Sequence, residues 1–328
     1  MDDVRSEKSS LPRDESEFAA AVGPYRRELR AYCYRMAGSI DDADDLLQES
    51  LLRAWRGLSG FDGRASMRTW LYRVASSACI DRLKNRTARK RAEDHGPPAS
   101  AHESAPPGDM GEFIGPCPAD VYVEEAQSPE ARYDRRESVG FAFLAALQLL
   151  PPKQRATLIA CDVLGFSAEE CASMLETSAT SVESALRRAR ETIDARGKSW
   201  KPTVPSDDAR DVVARWIDAW TRADAKALVE LLHADATMSM PPLPMWMRGP
   251  ESIGEALAVM VFSGRVAGDF RAIATESNGL PALGVYRKSG DGTFAPYAIH
   301  VLDVTNGKVR AFTAFIDTRF FSHFGFPL

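Results

Sequence analysis

No run of this 328-residue chain approaches eighteen consecutive apolar residues, so no segment is expected to cross a membrane. Paired cysteines are missing as well. The five present (Cys33, Cys79, Cys117, Cys161 and Cys171) are scattered, with no CxxC spacing and no Cys/His cluster. That pattern argues against a structural zinc site and reads as reduced thiols in the cytoplasm. No cofactor and no metal is expected. The N-terminus, MDDVRSEKSSLPRDESE, is polar and mixed in charge, so it reads as neither a signal nor a transit peptide. Excess positive charge is also lacking. A net charge of -5 excludes a uniformly basic nucleic-acid coat, and any such binding must sit on local patches. No internal repeat and no heptad run is present.

What is present divides by composition. The length suits two or three domains, and 45% apolar with 27% charged residues is ordinary for a globular protein. After a polar tail (1–16), residues 17–93 are rich in Ala, Leu and Arg at helical spacing. Residues 94–135 turn Pro-rich and acidic, and read as a linker or extended segment outside any packed core. The helical pattern returns over 136–197. A short linker, 198–206, leads to mixed helix and strand signals over 207–328.

Residues 41–55, DDADDLLQESLLRAW, place Leu47, Leu51, Leu52 and Trp55 on one amphipathic stripe behind an acidic first turn. A capped surface helix accounts for that stretch alone. The next helix, 66–86, puts Met67, Leu71, Val74 and Ala78 on a core face. Trp70, Arg73, Ser77 and Lys84 share a neighbouring face, expected to be half-exposed. An aromatic beside cations and hydroxyls suits stacking on an unpaired base while the cations hold phosphates. From Arg64 to Arg91 there are nine basic residues against one acid, Asp81, a local excess that implies a polyanion. A solvated basic face is the alternative.

"DADDLLQESLLRAW" followed by "FDGRASMRTWLYRVASSACIDRL" resembles the second conserved region of extracytoplasmic-function sigma factors. The resemblance implies that Asp41, Asp44, Asp45, Gln48 and Glu49 face the clamp helices of the largest subunit of core RNA polymerase. It implies that Phe61, Arg64, Ser66, Trp70, Arg73, Ser77 and Lys84 capture and melt the -10 promoter element. The family usually carries Asn where this chain has Ser77.

Further along, residues 141–150 form an apolar helix stopped by Pro151-Pro152. A second helix over 153–163 ends at Gly165, and a capping box, Ser167 to Glu170, opens a third. A turn then leads to a fourth helix near 180–196, a helix-turn-helix pattern that helical hairpins in bundles can share. Thr180, Ser181, Ser184, Arg187 and Arg188 face outward, with hydroxyls and arginines suited to base edges and phosphates. "LLPPKQRATLIACDVLGFSAEECASMLETSATSVESALRRAR" is similar to the fourth region of the same family, which implies contact with the -35 element and the polymerase flap. Glu183 and Ala185 stand where the family is commonly basic. The intervening acids Asp109, Glu112, Asp120, Glu124 and Glu125 suit either a disordered tether or a strand lying in a positively lined nucleic-acid path.

The C-terminal part shows helices at 207–221, 225–233 and 250–262. A strand begins at 236–240 before the last of these helices, and β-rich runs follow at 270–276, 282–287, 297–304 and 309–316, with an Asn306-Gly307 hairpin turn between the last two. This α+β order resembles the SnoaL-like cone of the NTF2-like superfamily. Together the three matches resemble sigma factors with a SnoaL-like extension, of sigma-J or sigma-G type. The fold class expected is therefore multidomain, two all-α domains and an α+β cone. Such cones usually enclose an apolar cavity. Met238, Met240, Met245, Trp246, Met247, Tyr297, His300, Phe312 and Phe315 are expected to line a small-ligand pocket or simply to form core. Asp235, His300, Asp303 and Asp317 are the available acid/base groups, but no spacing selects a catalytic constellation, and no enzyme activity is expected. A ligand-responsive helix-turn-helix regulator that is not a polymerase subunit, or an NTF2-like enzyme fused to helical modules, are the alternatives.

Overall fold

Side-chain caps open half of the α-helices described in the computed structural model, which describes residues 12, 14–103, 112–122, 140–195 and 209–328. Asp14, Ser39 and Ser66 each accept a hydrogen bond from the backbone N–H three residues on, opening α1 (Glu15–Val22), α3 (Ile40–Gly57) and α4 (Met67–Leu83). Between α1 and α3 lies α2 (Arg26–Ala37), closed by Gly38 at φ 72°. These helices bury an apolar centre in which Tyr32 and Tyr72 meet edge to face at 5.3 Å.

The second helical group comprises α5 (Phe141–Gln148), α6 (Pro152–Leu158) extended by a π turn (Ile159–Val163), α7 (Ala168–Met174) and α8 (Ala179–Asp194). The capping box at Ser167 and Glu170 is made in both directions, at 3.1 and 2.8 Å. Gly165 adopts φ 71°, as the sequence requires of a helix stop. The two groups share one continuous apolar cluster. Phe166 meets Tyr72 at 5.2 Å, and Arg68 stacks over Phe166 at 4.6 Å. Arg155 of α6 is buried and donates to the carbonyls of Gln148 and Leu150, both at 3.1 Å, and to that of Met36 at the end of α2.

The Pro-rich segment is corrected by the structure where it is described. Ile114, Cys117, Val121 and Tyr122 are buried, because apolar residues between the prolines have a core to enter. Gly115 N–H donates to Gly38 O at 2.9 Å on one side. On the other, Cys117 N–H donates to the Asn278 side-chain oxygen at 2.8 Å, and Asn278 Nδ2 donates to the Tyr34 hydroxyl at 2.6 Å. Glu112 faces Arg86 and Arg89 at 3.6 and 3.5 Å. Asp120 is exposed, and Asp109, Glu124 and Glu125 lie outside the described residues.

The C-terminal domain begins with α9 (Ala209–Thr221) and α10 (Ala225–Glu230), then β1 (Leu232–Ser239), β2 (Trp246–Arg248) and α11 (Pro250–Ala256). Strands β3 (Phe270–Ser277), β4 (Leu280–Lys288), β5 (Phe294–Thr305) and β6 (Lys308–Phe315) complete a sheet of order β2-β1-β6-β5-β4-β3. Only the β1–β6 pair is parallel. Asn306-Gly307 turns with φ 51° and 67°, and Asn278-Gly279 repeats the device between β3 and β4 at 55° and 75°. One sheet face packs on the helices through Trp216, Trp220, Phe262, Phe270 and Phe312. The other carries Ile299, Val301 and Phe315 beneath a C-terminal hook containing α12 (Phe320–His323), with Phe141 of α5 stacked on Phe315 at 5.8 Å.

Candidate nucleic-acid interface

The loop before α4 folds back so that Phe61 tilts against Trp70 with ring centres 5.1 Å apart. Phe61, Arg64, Trp70 and Arg73 line one hollow of about 230 Å³, and Ser173 of α7 closes its far side. The expectation of a half-exposed Trp70 is corrected. The indole is only 5% exposed, because Phe61 and α7 cover it. Burial along this face falls off away from α7: Arg73 is half-buried, while Ser77 and Lys84 are exposed. Ser66 does not join the hollow. Its hydroxyl caps α4, accepting from Thr69 N–H at 3.1 Å.

The basic excess is also partly spent inside the protein. Asp42 receives Arg89 at 2.6 Å and Arg86 at 2.8 Å, and Arg68 pairs with Glu28 at 3.1 Å. Burial alone would push the Asp42 carboxyl up, but the two arginines outweigh it and hold the carboxyl below its usual range. Arg73, Lys84 and Lys90 make no ion pair among the described residues, so the cations free to meet phosphate are fewer than the count suggests.

In α8, Ser178 accepts from Ser181 N–H at 3.2 Å and caps the helix N-terminus. Thr180, Ser181, Arg187 and Arg188 are exposed and Ser184 is half-buried, while Val182 and Ala189 enter the core. Arg187 leans on Glu191 at 3.2 Å. Arg190, which sequence reasoning passed over, ties α8 to Asp162 at 2.6 Å.

The exposed stripe of α3 holds Asp41, Asp45, Gln48 and Glu49, with Asp44 half-buried beside it. These acids already have neighbours. Asp44 takes Arg30 at 2.8 Å, Asp45 meets Arg82 at 3.4 Å and Glu49 meets Arg53 at 2.7 Å. His323 of the C-terminal hook sits 2.7 Å from Asp41 and 3.6 Å from Asp44. Its hydrogen bond lowers the Asp41 pKa.

Of the residues expected to line a pocket or form core, Met238, Met240, Met245, Met247 and Phe312 share one inner cluster, and only Phe315 and Trp246 stand apart from it. Met240 and His300 are in the inner core, and Tyr297 packs half-buried at its edge. Phe315 lies on the opposite sheet face, and Trp246 donates its indole N–H to Gly96 O at 2.8 Å. His300 is enclosed by Trp220 at 4.5 Å and Phe312 at 5.9 Å, with neither ring nitrogen hydrogen-bonded among the described residues, and burial pushes its pKa down to about 3. The acid/base candidates do not converge. Asp303 pairs with Arg310, Asp317 with Arg319, and Asp235 lies 3.7 Å from Arg248.

Three family models match in this order: Sigma-70 region 2 over residues 21–89, Sigma-70 region 4 over 140–193, and the SnoaL-like domain over 213–312. The ECF RNA polymerase sigma factor SigG of Mycobacterium tuberculosis is 40% identical over 326 residues, 96% of this chain and 86% of the relative. The chain belongs to the extracytoplasmic-function RNA polymerase sigma factors. The sigma factor SigJ of the same organism is 28% identical over 91% of this chain and 80% of its own length. The crystal structure of SigJ shares the fold, with a TM-score of 0.57 at 24% identity, covering 94% of this chain and 99% of that one. With both sigma regions present, the helix-turn-helix-only regulator is not favoured. Among the described residues no helix of this sigma factor is long and apolar enough to cross a membrane.

Two parts of the sigma factor were missed by sequence reasoning. Asn278 and the 113–118 segment join the C-terminal domain to the first helical domain, and the hook reaches α3. For the first, the Asn278-Gly279 dipeptide was the available signal. For the hook, only the density of phenylalanines after residue 319 hinted at packing.

Proposed function

We propose that this sigma factor reads the -10 element through Phe61, Arg64, Trp70, Arg73, Ser77 and Lys84, with Ser66 holding the start of α4. In this reading α8 meets the -35 element through Thr180, Ser181, Ser184, Arg187 and Arg188. The acidic stripe of α3 docks on the clamp helices of core polymerase and the second helical domain on the flap. The C-terminal domain adjusts access to these surfaces. The observation that carries the last step is His323 of the C-terminal hook, 2.7 Å from Asp41 on the acidic stripe; within the helical part, α7 lies against the Trp70 hollow. The two promoter elements lie about 25 base pairs apart, roughly 85 Å at 3.4 Å per step. Helical domains that share one core cannot reach both at once, so the packed chain must open before promoter binding.

Run-off transcription with core polymerase and a randomised promoter pool tests the reading. Promoter-specific transcripts that weaken for Arg73→Ala and Arg188→Ala are expected. Absence of any promoter-specific transcript from the full chain overturns it. Full-length protein and a chain ending near residue 196 that behave identically would overturn the regulatory part.

A further inference from the structure

The corner of the C-terminal sheet where β3 begins and β4 ends carries four cations, Arg265, Arg271, Arg287 and Lys288. Strand register fixes their neighbourhood: Arg271 stands opposite Tyr286, Arg287 opposite Phe270, and Lys288 opposite Phe294. The loop before β3 is tied to the same corner. Lys288 N–H donates to Asp269 O at 2.7 Å, and Arg265 Nη1 donates to Lys288 O at 3.4 Å. Segments 264–271 and 286–295 set these four cations against two acids, Asp269 and Asp291, an excess of two positive charges in a chain whose total is -5. Both acids are engaged by nearby backbone, Asp269 accepting from Val266 N–H at 3.1 Å and Asp291 from Thr293 N–H at 3.0 Å.

Elsewhere on this domain Arg222, Arg248, Arg310 and Arg319 each face an acid. None of the four corner cations makes an ion pair among the described residues. Arg271 lies over the Phe294 ring, its Cζ 3.9 Å from the centre, and Arg287 lies over Tyr297 at 4.7 Å. The two rings are half-buried, whereas Arg271, Arg287 and Lys288 are exposed. Stacking on a ring fixes the plane of a guanidinium and leaves its N–H donors unspent. Neither arginine makes a side-chain hydrogen bond among the described residues. Oriented, unspent guanidinium donors are what bidentate contact with phosphate requires. We infer that this corner is a further nucleic-acid surface, which grips the phosphate backbone of duplex DNA through Arg271 and Arg287. Phosphates carry no sequence, so it adds affinity without choosing the promoter. It shares no residue with the proposed -10 and -35 contacts and stands or falls apart from them. An acidic protein surface is the other complement to such a patch, and the test separates the two.

A fluorescent duplex of unrelated sequence, titrated with the full chain at several salt concentrations and read by anisotropy, supplies the first measurement. Arg271→Gln combined with Arg287→Gln should make the slope of log affinity against log salt shallower by about two. Arg222→Gln, at an arginine already held by Asp218 and Asp224, should leave the slope unchanged. Far-ultraviolet dichroism checks folding, and a second measurement needs no variant. Acetylation of the unaltered chain by an activated ester, read by mass spectrometry, should slow at Lys288 when the duplex is bound. Lys308, whose ammonium donates to Glu230 O, should react as before. Polyglutamate at the same charge concentration should leave Lys288 reactive. The proposal is overturned by an unchanged slope in the folded double variant or by an equal change in Arg222→Gln. It is overturned as well by a Lys288 rate that the duplex does not alter, or by equal protection from polyglutamate.

Discussion

Asp42 shows how one side chain can read as a generic helix-start acid and act as a structural hub. It collects Arg86 and Arg89 from beyond α4 while its side chain stays 11% exposed. Its folded pKa is lowered, so the stabilisation is complete above the unfolded value near 3.9. That contribution is lost as pH falls through the lower folded value. Asp42→Asn should cost about 3 kcal/mol at pH 7 by urea denaturation, and the gap from the parent should begin to narrow below about pH 4 and close only below the lower folded value. An equal gap at acidic and neutral pH would contradict this. Arg155 is a second case. Burial pulls its pKa down to about 10, and its partners are carbonyl oxygens of both helical domains. Arg155→Ala strands those acceptors and should destabilise the chain by about 2–4 kcal/mol, measurable as a lower urea midpoint with unchanged slope.

At the scale of elements, the most consequential contact is the C-terminal hook on α3. His323 meets Asp41 and Asp44 at the end of the stripe proposed to dock on polymerase. A partly exposed pair of this kind is worth about 0.2–1 kcal/mol. His323→Ala should therefore raise affinity for core polymerase by at most about fivefold, read by fluorescence anisotropy. Unchanged or weaker binding would remove the hook from the docking surface. The hook is anchored elsewhere, by Phe321 in the outer cluster and by Phe326 over Gly284, where an added Cβ would lie 2.5 Å from the ring. The helices themselves were legible in sequence. Ser39, Ser66, Ser167 and Ser178 announce helix starts by local hydrogen bonding, which needs no tertiary partner. The π turns after α6 and α11 were not, because they answer to packing rather than to propensity.

For the whole molecule, the proposed function requires the packed arrangement to give way to a promoter-spanning one, and Asn278 sits at the joint between the C-terminal and first helical domains. Asn278→Ala leaves Cys117 N–H short of one acceptor and the Tyr34 hydroxyl short of a donor. It should speed exchange of the Cys117 amide and cost about 1–3 kcal/mol. Dyes on engineered cysteines at Ser59 and Glu176, in a Cys161→Ser background, should move apart when the polymerase–promoter complex forms. Constant energy transfer would show that the domains do not separate.

The amino-acid sequence by itself determined the three domain types, the helix caps, the Asn-Gly hairpin and the helical faces that carry the candidate DNA contacts. All of these rest on interactions within a few residues or on periodicity. Tertiary structure decided which of those residues are available. It buried Trp70 under α7, spent Arg86 and Arg89 on Asp42, and set Phe315 on the opposite sheet face from the other expected pocket residues. It also drew the 113–118 segment into the core. Periodicity locates a side chain on its own element, but burial and pairing depend on what approaches from distant sequence, and local pattern carries no record of that.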